Sequence, residues 1–462
     1  MRMRSSSNSN SRIHHVVNYY SERKLFIVFF VLMVALIVDN SFSINADIFR
    51  DQIVSFWGIV LFIAIAAVYA LGQFFILEMV KAKNRQVLSG SIGSSETVIT
   101  IVQYALTSII VIVILQVLFS SQYHRDLLIA SNTISYGAAI FLTGLLAWKL
   151  FSWYKTHKKQ SLVLLFGLAA AGIALTSITY LFWSDAVLAT KASVVFPESE
   201  VAFDPGYEED SPLNLLDYVL HGTLTAFVLL LWAGTVVLLY RNFKKIGQVK
   251  FWVLVTLPVI SFMGILTVLY QEIAPTSLAP LLSPSNLMIP LWLLYYSGLS
   301  MGVIIGLSFI LIGRFLKHGI PSRDYMIITG FGFMIFIWAY SAILTHAPYP
   351  PYGIATVSAL PLSLFMILNG LSYSAISVAQ DETLRRSIRK GVKDMKFLES
   401  IGTAQMEQEL QKRVLTIAKK NSDVMTEETG VQPSLTEDEM KEYLNMVANE
   451  IKRTKHDTMH KK

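Results

Sequence analysis

No cysteine occurs in this chain of 462 residues. That excludes disulfides, thiolate metal sites and thiol catalysis, and leaves the redox compartment open. Charge is almost as scarce. Asp, Glu, Lys and Arg make up 15% of the chain, where a soluble domain carries about 25%. The GxxxxGK[ST] phosphate loop, HExxH, GxSxG and the dinucleotide fingerprint are all missing from the sequence, so the usual signals of nucleotide, metalloprotease, hydrolase or cofactor chemistry are lacking. The reading is of a protein that is not an enzyme and has no cofactor.

Apolar residues fill the space that charge vacates, at 53% of the chain with a mean hydropathy of +0.52. The net charge of +6 would suggest nucleic acid in a soluble chain; here it fits loops drawn to an anionic leaflet, and no nucleic-acid partner is expected. Ten apolar segments stand out: about Leu25–Val38, Ile53–Val80, Thr97–Phe119, Leu127–Trp148, Ser161–Trp183, Leu213–Tyr240, Phe251–Tyr270, Leu287–Gly313, Tyr325–Thr345 and Tyr352–Ala379. Most exceed the roughly 20 residues that cross a hydrocarbon core. Lys81, Lys83 and Arg85, then Lys149, Lys155, Lys158 and Lys159, then Arg241, Lys244, Lys245 and Lys250, then Arg314, Lys317 and Arg323 follow every second segment. Only Arg50, Arg125 and Lys191 lie on the other side. The expected fold class is all-α: a polytopic helical membrane protein of about ten transmembrane helices, in the plasma membrane, with both termini cytoplasmic and a short helical cytoplasmic tail. Trp57, Trp148, Trp183, Trp252 and Trp292 sit near segment ends as interfacial anchors.

The expected organisation has three parts. Residues 1–24 are a basic, disordered tail; residues 25–379 form the ten-helix domain, with an acidic outer loop at 185–212; residues 380–462 form an amphipathic helical tail. The first apolar run ends after fourteen residues at Asp39 and Asn40, and reads as an uncleaved signal anchor. No ionisable residue is placed at the middle of any span, where transporters and pumps usually carry one.

Candidate sites are few. Asp217 and His221, four apart in "PLNLLDYVLHGT", share one face of the sixth span near its outer boundary and are the ligand or ion candidates. His124, His221 and His346 are the histidines that topology turns outward, and an outer metal site would have to draw on them. They show no spacing motif. Gly298, Gly302 and Gly306 repeat every fourth residue, a small-residue face for close helix packing. Gln103, Gln116 and Asn369 are candidate hydrogen-bond links between helices. Pro258 and Pro361 lie inside spans and are expected to kink them.

The tail carries apolar residues from Leu384 to Ile417 at an average spacing near 3.6, and then a capped start at Thr436 and Glu439 leading to Met440, Leu444, Val447 and Ile451. Its stripes, within 384–451, call for a cytoplasmic protein partner or a homodimer, besides the lipid bilayer around the spans. The segments "APYPPYGIATVSALP", "AISVAQDETLRRSIRK", "LESIGTAQMEQELQKRV" and "SLTEDEMKEYLNMV" resemble a family of multi-pass membrane proteins from ammonia-oxidising archaea (Thaumarchaeota). The resemblance implies an archaeal plasma membrane and supplies no activity or site residues. The expected function is receptor-like or assembly, coupling an outward-facing membrane domain to a cytoplasmic partner through the tail; a secondary transporter or channel is the alternative.

Overall fold

A computed structural model of the chain describes residues 7–46, 49–84, 93–156, 161–198, 212–273, 301–316, 321–342, 344–380 and, in the tail, 398, 401–410, 412–414 and 416–417. The elements are almost all helices: α1 (Ser7–Ile44), α2 (Arg50–Val54), α3 (Phe56–Asn84), α4 (Gly93–Ser120), α5 (Arg125–Thr156), α6 (Ser161–Thr190), α7 (Pro212–Tyr240), α8 (Phe243–Ile246) and α9 (Gln248–Ile273). They continue with α10 (Met301–Phe315), α11 (Pro321–Tyr340), α12 (Ile354–Ser358) and α13 (Leu360–Gln380). The one sheet among the described residues is an antiparallel pair, β1 (Tyr123–His124) with β2 (Val194–Val195), in which Tyr123 faces Val195 and His124 faces Val194.

Seven of these helical spans are long and apolar enough to cross a membrane: Phe26–Ile44, Phe56–Asn84, Ser95–Ser120, Arg125–Thr156, Ser161–Thr190, Leu215–Tyr240 and Ile354–Ala379. Three more expected segments fall on α9, α10 and α11, which are not among the seven; α11 carries Arg323 and Asp324 near its start. Local chemistry sets the helix boundaries. At the start of α3, Ser55 Oγ accepts from Gly58 N at 3.2 Å, which satisfies one of the unpaired first-turn amides. Buried α3 residues Phe62, Ile65, Ala66, Tyr69, Gln73, Ile76, Leu77 and Val80 recur at three and four. Leu71, 75% exposed on the same helix, shows the face left to lipid.

The helices pass between two ends. The loop end holds the turns around Ile44–Phe56, Tyr123–Arg125, Lys191–Val195 and Leu344–Gly353, while the tail end holds Asn84, Thr156, the Arg241–Gly247 turn and the first residues of α11. Residues enclosed by the bundle are not spread evenly. The α12–α13 span is wholly enclosed over its most apolar window, whereas the other six bury 33–56% of theirs. It is the central rod, packed by α3, α4, α5 and α11. In lipid this packing is held by close van der Waals fit and interhelical hydrogen bonds rather than by the hydrophobic effect.

Three expectations change. Helix α1 begins at Ser7, inside the segment expected to be disordered, and runs on to Ile44, so Asp39 lies within a membrane-length span rather than beyond it. Helix α6 runs on to Thr190, taking the first residues of the expected acidic loop. Asn132 Nδ2 and Thr133 Oγ1 donate to the Asp185 carboxylate at 2.9 and 3.0 Å, which lets the carboxylate stay on a packed helix. Trp183 is 8% exposed and packs on Tyr180 with ring centroids 5.8 Å apart, so it is no interfacial anchor. Trp57, Trp148 and Trp252 are 75%, 72% and 54% exposed, as anchors would be. The last span is interrupted beside Pro361, where a kink is expected: α12 ends at Ser358 and α13 begins at Leu360, just before the proline, whose ring cannot supply a helix amide. Trp292, the loop from 199 to 211, the join at 381–397 and the helix expected after Thr436 lie outside the described residues.

Candidate functional site

A cluster of buried polar atoms lies at the start of α12. Gly353 enters it with φ +96°, a left-handed conformation that glycine adopts without strain. Asp39 of α1, with no exposed surface, meets this entry: its Oδ2 accepts from the Thr356 amide at 2.9 Å and from the Thr356 hydroxyl at 2.7 Å. The Thr356 hydroxyl also lies 3.1 Å from the Leu36 carbonyl. Asp39 therefore acts as a capping group delivered from another helix, placed where the α12 amides would otherwise be unpaired. Among the described residues no Lys, Arg or His forms an ion pair with it.

One turn further on, the other end of α12 is held by uncharged groups. The Tyr69 hydroxyl donates to the Ser358 carbonyl at 2.7 Å and lies 2.9 Å from Gln103 Oε1. Ser131 Oγ stands 3.4 Å from Ser358 Oγ. Gln73 on α3 bonds Thr107 on α4. Asn40 reaches Ser341 at the end of α11, 3.3 Å away. Helices α1, α3, α4, α5 and α11 thus all meet the α12 segment or the turn before it.

The loop Leu344–Gly353 closes this end. Tyr123 donates to the carbonyls of Ala347 and Pro348 at 3.3 and 3.2 Å, Tyr349 to the Val117 carbonyl at 3.2 Å, and Tyr352 to the Gly58 carbonyl at 2.6 Å. The Tyr123 and Tyr349 rings stack with centroids 6.3 Å apart. Burial pushes the Tyr123, Tyr349 and Tyr352 hydroxyls above the usual phenol range, and at Tyr352 the Asp39 carboxylate adds to it. All three therefore stay protonated donors.

The tail end has its own contacts. Lys83 and Asp324 pair at 2.6 Å, the Tyr325 hydroxyl donates to the Lys83 carbonyl at 3.0 Å, and Tyr325 stacks on Tyr373 of α13. The described part of the tail packs here as well. Leu398, Ile401 and Ala404 are buried, and Gly402 lies against Val378 of α13. Trp153 Nε1 of α5 donates to Gln405 Oε1 at 3.1 Å, and Gln408 Nε2 donates to Ser152 Oγ at 2.8 Å and Thr156 Oγ1 at 3.2 Å. Replacing Trp153, 1% exposed, with Ala removes both the indole packing and this bond. Limited proteolysis of Trp153→Ala should cleave the 398–417 segment several-fold faster than in the parent, with the spans intact.

Asp217 and His221 do come together. Their side chains approach to 3.3 Å and His221 Nδ1 lies 2.9 Å from the Asp217 carbonyl, with each side chain about one-third exposed at 35% and 36%. A pair this wet and local contributes little, so Asp217→Ala should change thermal stability by less than about 1 kcal/mol. His124 is exposed, and its amide donates to Gln116 Oε1 at 3.1 Å. The side chain of His346 lies outside what is described. No group of three or more His, Cys, Asp and Glu side chains among the described residues could hold a metal ion. A Cβ on Gly302 would stand 2.5 Å from Ile337 Cβ, and Gly306 meets Gly330 of α11 backbone to backbone, whereas Gly298 lies outside the described residues. Asn369 is fully buried on α13, and its side chain makes no hydrogen bond among the described residues.

Comparison with protein-family models, with curated proteins and with solved structures gives no match. Function must come from the geometry alone. The residues that gather around α12 are Asp39, Tyr69, Gln103, Ser131, Thr356 and Ser358. Of these only Gln103 is singled out by sequence, as a polar residue inside an apolar run.

Proposed function

We propose that the protein is a receptor-like or assembly protein of the plasma membrane, which couples its loop end to a cytoplasmic partner through its tail. In this reading ten spans place both termini in the cytoplasm. The support is the charge pattern: Lys83, Lys155, Arg241, Lys244, Lys245 and Arg323 cluster at the tail end, with Arg50, Arg125 and Lys191 at the other.

The observation that carries the proposal is the docking of residues 401–408 against α5 and α13. One continuous helix, α13, leads from the polar cluster around α12 to the Val378 contact with Gly402. A change in how α12 is held would shift α13 and alter how tightly the tail is docked. In this reading the signal passes from the docked tail to another protein. Pull-down from native membranes tests this, comparing the full chain, a chain truncated after Gln380 and Trp153→Ala. A partner held by the full chain, lost on truncation and altered in amount by Trp153→Ala supports the reading; the same proteins recovered with all three contradict it.

A secondary transporter is the second reading, favoured by the buried carboxylate at a discontinuous helix. Ion and substrate sites in transporters commonly use such breaks. Flux across proteoliposomes that depends on Asp39 would favour it over the first.

A further inference from the structure

We propose that Asp39 and Ser43 hold a sodium ion at the entry of α12. Thr356 occupies Asp39 Oδ2, and the amides of Gly353 and Ala355 also face the carboxylate, yet Oδ1 completes no hydrogen bond. Ser43 follows one turn later on the same face of α1. Its Oγ is buried without a hydrogen-bond partner and stands 2.7 Å from where a Cβ on Gly353 would be. It therefore faces the same α12 entry as Asp39, and glycine at 353 leaves that approach open. Asn40 Oδ1, on the intervening turn, is likewise buried and unpaired.

Asp39 Oδ1 and Ser43 Oγ make no hydrogen bond to each other, and a single ion at the α12 entry would serve both. Water would answer the lone pairs but leave the carboxylate charge uncompensated by any described cationic side chain. A bound cation answers both. The donors are oxygens only, without imidazole or thiolate, which selects a hard ion over a transition metal. A single carboxylate suits one positive charge; a divalent ion would leave net charge in a dry interior.

The inference goes beyond the coupling reading and does not depend on it, since its test contains no tail readout. Thermal unfolding of the purified full chain is followed while sodium replaces choline at constant ionic strength, with potassium as a further arm. The unfolding midpoint should rise with sodium and saturate, as binding to the folded state requires. That rise should be lost in Asp39→Asn and displaced to higher sodium in Ser43→Ala. Should Asp39→Asn fail to fold, saturable binding of radioactive sodium by the parent, weakened in Ser43→Ala, makes the same distinction. Equal midpoints in sodium, potassium and choline would overturn the proposal, as would an undiminished sodium response in both variants. A response to pH alone would overturn it too, and would assign the carboxyl to a proton.

Discussion

Gly306→Leu is expected to leave little folded protein. Helices α10 and α11 meet backbone to backbone at Gly306 and Gly330: a Cβ added at Gly330 would stand 2.5 Å from the Gly306 carbonyl oxygen, and one added at Gly306 would strike the Gly330 carbonyl. A flexible side chain could turn away; a backbone carbonyl cannot. Overpacking a core costs about 1–3 kcal/mol where side chains yield, and separating two backbones also disturbs the α11–α13 contact at Gly332 and Gly370. The loss should be about 3 kcal/mol or more, against a total stability of about 5–15 kcal/mol. The monodisperse peak in detergent chromatography should fall sharply, and Gly306→Ala should fall between the two. Leucine at Gly144, where an added Cβ meets nothing within 4 Å, is the control and should behave like the parent.

Asp39→Ala is the second large effect. Removing the carboxylate takes the charged acceptor from the Thr356 amide and hydroxyl in a fully buried setting, and leaves the hydroxyl only the Leu36 carbonyl. Each lost hydrogen bond to a charged group is worth about 1.5–3 kcal/mol, so the expected cost is about 3 kcal/mol or more. Asp39→Asn keeps an oxygen acceptor near Thr356 and should recover more than half of that stability. Thr356→Val removes only the hydroxyl and should cost about 1–2 kcal/mol. Thermal unfolding of the three variants gives the order Asp39→Ala, then Thr356→Val and Asp39→Asn together, as least to more stable.

The seven membrane-length helices were legible because apolar length reports the membrane directly. The site was not legible, because hydropathy scores each residue for contact with lipid. By that measure Asp39 ends a span; in the folded chain its partner Thr356 lies 317 positions away and makes the burial tolerable. The tail contact hides in the same way, since Trp153 and Gln405 are 252 positions apart. Gly302 and Gly306 announced themselves through a four-residue period, while their neighbour Gly330 belongs to no such repeat. Asp217 and His221 were legible from their spacing: the pair forms, at a partly exposed helix end.

Hydrogen exchange of the 401–410 amides tests the central claim, that the hold on α12 and the docking of the tail are coupled through α13. The comparison is between the parent, Thr356→Val and Trp153→Ala, under conditions where all three are folded. Trp153→Ala sets the scale for an undocked tail. The coupling account predicts that Thr356→Val, at the far end of α13, moves the tail amides measurably toward that faster exchange. Tail exchange unchanged in Thr356→Val, with faster exchange confined to α12 and its neighbours, would contradict it.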